Sequence, residues 1–371
     1  MASRGAQQRW LESLVDIITA SGKEAQVVAW VRKWAERRGH QILTDEAGNL
    51  LLKSVGRGGR RRPIVAVAHM DHPALVVRDG GHRLVEAELR GGVHPPYVES
   101  AVVVAGATKG RVVGYEPGPG LASIQFSAPV QTGAVARWFF PAARLGRRNG
   151  KLHGRACDDL AGVAAALSAF DTVSTQGLRH FAVLLTRAEE VGFIGAIAAC
   201  RLGTLPDDAQ ILSIECSRAS AEAPVGLGPV VRVGDASSAF SPELTNHLSA
   251  VARDSGVGYQ RKLMSGGSCE ATAFAAFGYE ASGLCLPLGN YHNMVDPDRV
   301  LAGKRKARLA PEVISLRDYH ALVDLLVATV KSLHVRKGDL RARLDSQFER
   351  ESHVLEIEST PRLRKRVPRR G

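Results

Sequence analysis

From about Gln8 to Arg38 the apolar residues Trp10, Leu14, Ile17 and Ile18, then Val27, Val28, Val31 and Trp34, recur three and four apart. That spacing gathers them on one face of a helix. The pair Ser21-Gly22 interrupts the run, so the pattern predicts two helices with a break between them. After Gly39 the period shortens to strands over Gln41–Thr44, Asn49–Lys53 and the wholly apolar Ile64–Ala68. A β-branched run of that kind, bounded by turn residues, predicts a strand buried on both faces. Between Ala74 and Lys151 short alternating segments, among them Ala101–Ala105, Arg111–Tyr115 and Ala122–Phe126, are separated by glycine and proline clusters. This texture predicts a small all-β insertion, whose free strand edges would invite association. Helix and strand then alternate. Helices are expected at Leu160–Phe170, Gly195–Arg201, Glu243–Ser255, Ala271–Phe277 and Leu316–Leu333, with strands at Phe181–Thr186, Ile211–Ile214 and Ala281–Leu286. The expected fold class is α/β: a three-layer α/β/α mixed-sheet domain over residues 1–73 and 152–335, an inserted all-β domain at 74–151, and a basic C-terminal tail at 336–371.

Composition narrows the function classes. A chain of 371 residues with 45% hydrophobic and 23% charged content can bury a full core, which excludes disordered, collagenous and fibrous readings. The five cysteines are scattered without a C-x-x-C pair, against a disulfide scaffold or a thiolate zinc site. The amino terminus is amphipathic instead of carrying the apolar run of an export signal, and no apolar segment approaches the roughly 18–20 residues that span a bilayer. The expectation is a cytoplasmic protein with no membrane partner. The net charge of +12 is concentrated: Arg362, Arg364, Lys365, Arg366, Arg369 and Arg370 supply half of it. With the knot Arg57-Gly58-Gly59-Arg60-Arg61-Arg62, this tail leaves nucleic-acid binding as a lesser alternative, since such runs are usually solvated.

Chemistry-bearing residues cluster at strand ends, where open α/β sheets place their sites. Ile64–Ala68 leads into His69-Met70-Asp71, which puts His69 and Asp71 on one side of an extended chain, an imidazole for a metal and a carboxylate to orient it. Taken alone, the pair reads equally well as a simple hydrogen bond. Cys157-Asp158-Asp159 enters the Leu160–Phe170 helix; a helix cap accounts for one aspartate, and the second has two oxygens suited to bridging cations. Glu189-Glu190-Val191-Gly192 follows the strand Phe181–Thr186, giving a ligand and a neighbouring base, or else a solvated acidic loop. Glu215 and His292 follow two further strands, although a lone buried histidine is more often a hydrogen-bonded core residue.

Together these stretches resemble the co-catalytic di-zinc exopeptidase clan, in particular the glutamyl and tetrahedral aminopeptidases, from roughly Ala25 to Leu333. The matching motifs are His69-Met70-Asp71, Cys157-Asp158-Asp159, Glu189-Glu190-Val191-Gly192-x-x-Gly195-Ala196 and Gly266-Gly267-Ser268. The resemblance implies a zinc-exopeptidase-like domain holding two divalent metal ions, zinc foremost, with cobalt or manganese able to substitute. By the same resemblance His69, Asp158 and Glu215 hold one metal, and Asp158, Glu190 and His292 the other, with Asp158 bridging. Asp71 would orient His69, Glu189 would be the general base, and Gly266, Gly267 and Ser268 would contact substrate. It further implies a cis Asp158–Asp159 peptide, a short peptide or amide substrate, and a homo-oligomer in which the β insertion lids the site. The long interval from Asp71 to Asp158 accommodates the extra module and favours the aminopeptidase branch, because the carboxypeptidase and deacylase branch carries its extra domain between the later ligands. Three positions depart from the aminopeptidase pattern. Glu215 stands where aspartate is usual, His72 stands where an acid is common, and Cys269-Glu270 replaces an aspartate. Glutamate at the first of these keeps a carboxypeptidase or N-acyl amino-acid deacylase activity as the alternative.

Overall fold

The strand Ile64–His69 lies inside an eight-stranded sheet, in the computed structural model that describes residues 2–53, 61–146, 149–333 and 340–354. From one edge the order is Gln41–Thr44, Leu50–Lys53, Phe181–Thr186, Ile64–His69, Gln210–Arg218, Glu280–Leu288, Val230–Asp235 and Gln260–Met264. The four central strands are mutually parallel, while Leu50–Lys53 on one side and Val230–Asp235 with Gln260–Met264 on the other run antiparallel to them, which makes the sheet mixed. One face, carrying Ala66 and Ala68, packs against the helices Cys157–Thr175 and Leu316–Ser332. The other, carrying Val65 and Val67, packs against Ile194–Arg201 and Glu270–Ala276. These are the three layers expected. Cys157–Thr175 is apolar on all sides and is buried from Cys157 to Val173, the composition of a helix enclosed by its neighbours.

Two strands of this sheet, Val230–Asp235 and Gln260–Met264, have no counterpart among the expected ones. Arg232 interrupts the first, and the second is a partly exposed edge with polar Gln260, Arg261 and Lys262. The strand expected at Ile211–Ile214 continues to Arg218, so Glu215 is an in-strand residue paired with Cys285, not a strand-end residue. The first helix, Arg4–Leu14, is shorter than its apolar period suggests. Ile17 and Ile18 fall in the connection to Ala25–Arg38, where Thr19 and Ser21 reach back to Met70 and Asp71.

Six strands between Ala74 and Trp138 close into a barrel, in the order Ala74–Val77, Leu84–Arg90, Leu121–Phe126, Thr108–Glu116, Val102–Ala105 and Val135–Trp138. Its interior holds Leu75, Val85, Val103, Ile124, Phe126 and Trp138. Closure pairs every edge, so the expectation that open strand edges of the insertion drive association does not hold. Arg144–Leu145 and Lys151–Gly154 lie outside the barrel and form a separate small sheet with Glu312–Ser315. Within the C-terminal segment, Leu340–Glu351 is helical with no buried residue. The basic run Arg362–Arg370 lies outside the described residues, as do Arg57 and Arg60 of the arginine knot. Arg62 pairs with Glu280. Among the described residues, no helix is long and apolar enough to cross a membrane.

Candidate metal centre

The site is assembled from the carboxyl ends of the central strands. Asp71, fully buried, organises two of its parts. Its Oδ1 lies 3.4 Å from His69 Nδ1 and accepts from the Glu189 amide at 3.0 Å; its Oδ2 accepts from Ser21 Oγ at 2.6 Å and from the Glu190 amide at 3.1 Å. One carboxylate therefore fixes the imidazole and docks the backbone of the paired glutamates. The turn that presents them has Ala188 and Phe193 at positive φ. Gly195 lies so close to the turn that a Cβ there would sit 2.4 Å from the Arg187 carbonyl oxygen. Buried Glu24 accepts from the Arg187 side chain and the Ala188 amide, bracing the same turn.

Asp158 follows Cys157 at the head of the long helix, but its φ/ψ and those of Asp159 are not helical, and the peptide joining them is cis. Glu312, fully buried, accepts from the amides of Cys157 and Asp158 at 2.6 and 3.1 Å through one oxygen and from the His292 amide at 2.9 Å through the other. His292 itself adopts φ 52°. Its Nδ1 lies 2.7 Å from the carbonyl of Gly92, in the inserted segment. If Nδ1 carries the proton it donates there, leaving the Nε2 lone pair for the centre.

These supports bring five sequence-identified ligand residues together. His69 Nε2 lies 3.5 Å from Asp158 Oδ1, 3.4 Å from Glu215 Oε1 and 3.8 Å from Glu189 Oε2. His292 Nε2 lies 3.4 Å from Asp158 Oδ2 and 3.3 Å from Glu190 Oε1. The two oxygens of Asp158 thus face different imidazoles. Asp158 Oδ1, Glu190 Oε1 and Glu215 Oε2 are buried without any hydrogen-bond partner. Buried carboxylate oxygens that accept no hydrogen bond are costly, and divalent cations are what such a set of oxygen and imidazole ligands accommodates. The residues fit metal ions.

The electrostatics point the same way. Burial opposes charge on both histidines, yet Glu189, Asp158, Asp71 and Glu215 hold His69 well above its ordinary pKa, and Glu190 and Asp158 do the same for His292. Burial drives Glu189 well above the usual carboxylate range, with Glu215, Glu190 and Glu270 adding repulsion. Burial also raises Glu215 to about 7. So many acidic groups in one buried place favour positive charge there, whether on protons or on cations.

A cavity of about 670 Å³ opens onto the centre, lined by Glu215 and His292 and, on its far side, by Gly266, Gly267 and Ser268. His72 contacts the Asp158 carbonyl at 2.5 Å and Asn293 Oδ1 at 3.1 Å, so it buttresses the Asp158 backbone. Sequence reasoning missed Ser21, Gly92 and Glu312, which act on backbone groups or through single contacts far along the chain.

A family model described as M42 glutamyl aminopeptidase matches residues 130–302, which include Asp158, Glu189, Glu190, Glu215 and His292. Over that stretch, a little under half of the chain, the sequence is similar to the M42 peptidases. The TET aminopeptidase from a marine sediment thaumarchaeote superposes with a TM-score of 0.74 at 19% identity, over 93% of this chain and 99% of its own. The TET1 peptidase of Pyrococcus horikoshii, whose description states that it can assemble into a tetrahedron or a large octahedral shell, superposes with a TM-score of 0.68 at 21% identity, over 87% and 99%. At these identities the likeness shows a shared fold. The cytosol non-specific dipeptidase of Escherichia coli is 28% identical over 102 residues, 27% of this chain and 19% of that protein's length. The match thus spans about a fifth of the curated relative.

Proposed function

We propose that this chain is a metal-dependent aminopeptidase that hydrolyses short peptides. The observation that carries the reading is Asp158, whose two oxygens face His69 and His292 from a buried position; its ligand atom groups with those of Glu190 and His292, beside a second group of His69, Glu189 and Glu215. In this reading His69, Asp158 and Glu215 hold one divalent ion and Asp158, Glu190 and His292 the other, zinc being the best fit to imidazole and carboxylate donors. Bound divalent ions would polarise the scissile carbonyl and acidify water. Asp71 keeps the His69 ring oriented and the glutamate turn in place. Glu189 takes the proton from the attacking water at its carboxylate and returns it to the leaving nitrogen, a role served by a carboxylate whose pKa burial has raised. Gly266, Gly267 and Ser268 contact the substrate from across the cavity. The barrel, residues 74–151 in the division drawn from the sequence, acts as a lid. The reading includes a cytoplasmic homo-oligomer, supported by the assemblies of the structural neighbour.

Glu215 favours one second reading, a carboxypeptidase or N-acyl amino-acid deacylase on the same centre. Hydrolysis of matched free-amine and N-acylated peptides by the metal-loaded protein separates the two: the aminopeptidase requires the free amine, and cleavage confined to the blocked series would replace it with the alternative.

A further inference from the structure

The strand Val135–Trp138 completes the barrel, and its alternation turns Ala136 and Trp138 inward while Arg137 points the other way. There Arg137 lines a cleft of about 20 Å³ together with Ile17 and Thr19, from the connection between the first two helices, and with His72, Arg155 and Asn293. The cleft is a seam between the barrel and the segments that carry the metal centre.

Two guanidinium groups share this seam with one carboxylate. Asp16 Oδ1 receives Arg155 Nη1 at 3.0 Å and the Ala143 amide at 2.9 Å, and Arg155 donates its Nε and Nη2 to the Phe140 carbonyl. Arg137 has no such arrangement. Its Nε and Nη1 are shielded from solvent and meet no acceptor among the described residues, and no carboxylate there pairs with it. Burial and the nearby Arg155 both depress its pKa, against an opposing effect of Asp16. A guanidinium so placed is costly unless an anion completes it. The size of the cleft restricts which anion that is. A single water needs about 10–15 Å³, so a space of about 20 Å³ takes one monatomic ion and excludes sulfate, phosphate or a carboxylate.

We propose that the cleft is a binding site for a halide ion, chloride foremost, held by Arg137 at the seam between the barrel and the metal centre. A water molecule would satisfy the N–H groups and leave the charge unmatched. His72, which lines the same cleft, contacts the Asp158 carbonyl, so the ion braces the structure immediately behind a candidate ligand. The inference goes beyond the peptidase reading and involves none of its metal-binding or substrate-binding groups.

Two measurements on the full-length protein test it. Crystals soaked in bromide and measured at the bromine absorption edge are expected to show an anomalous peak beside the Arg137 guanidinium. In solution, exchanging gluconate for about 0.15 M chloride at constant ionic strength raises the melting temperature by about 2 °C, for an ion that binds in the 10 mM range. That response disappears in Arg137→Met, and sulfate gives no Arg137-dependent rise. If Arg137→Met does not fold, Arg137→Gln, which keeps a donor and loses the charge, takes its place, and the bromide map needs no variant. A map with no peak at Arg137, or a chloride response that the variant leaves unchanged, overturns the inference. Equal Arg137-dependent stabilisation by sulfate overturns the assignment to a monatomic ion. None of these readouts involves turnover, so the peptidase reading stands or falls separately.

Discussion

Glu189 and Glu312 are both buried glutamates, and the account gives them different tasks. Glu189 faces the centre, so Glu189→Gln retains its metal in elemental analysis while turnover falls by about two to four orders of magnitude. Near wild-type turnover in that variant contradicts its role as base. Glu312 accepts hydrogen bonds from backbone amides, those of Cys157, Asp158 and His292. Glu312→Gln leaves at least one buried amide badly paired and loosens two ligand-bearing segments at once, so divalent metal binds about 10–100-fold more weakly. Metal titration of the apo variant checks this; unchanged affinity would reduce Glu312 to a packing residue. The contrast also explains what could be read in advance. His69, Asp71, Asp158, Glu189, Glu190, Glu215 and His292 were legible as candidates because metal chemistry uses those side chains, and all but Asp158, at the head of a helix, fall at or near the ends of predictable strands. Glu312, Ser21 and Gly92 left no such trace, since any acceptor or donor in the right place would serve and only the folded chain reveals that place.

Strong periodicity marked the buried elements well. The strand at Ile64, the helix from Cys157 and the closing helix Leu316–Ser332 all appear where apolar runs placed them, because each is enclosed by other elements. The periodic signal weakens at the far edge of the sheet, where Gln260–Met264 presents polar side chains, and at Val230–Asp235, where Arg232 occupies a core position. Helices are also tied by charge. Asp171, on the long central helix, accepts from the Arg38 guanidinium, lies beside His40 and receives the Ala2 amide. Burial alone would raise its pKa, but His40 and Arg38 hold it well below the usual carboxylate range. A depressed carboxylate stabilises the fold above its unfolded pKa, near 3.8, and loses that contribution as pH falls further, because the unfolded chain then binds the proton more readily. Asp171→Asn therefore costs about 1.5–3 kcal/mol at pH 7 by urea denaturation, and the difference from wild type shrinks below pH 4. A penalty independent of pH would assign the effect to packing.

Across the whole molecule the inserted segment touches the centre directly, since the Gly92 carbonyl reaches His292 Nδ1 and so links the segment to a candidate ligand. The closed form of the barrel removes the edge-pairing route to assembly, so the proposed association of copies uses other surfaces. Light scattering is expected to give a mass that is a multiple of 39.7 kDa, and a monomer at micromolar concentration would contradict the proposed oligomer. Because cations would bind the folded cluster and not the dispersed ligands of the unfolded chain, chelation should lower the melting temperature and added divalent metal should restore it. The most direct test counts the ions. Elemental analysis of protein reconstituted with zinc and then dialysed should find close to two ions per chain, and Asp158→Asn should lose both together. A wild-type protein that retains none, with its melting temperature indifferent to zinc, would contradict the account.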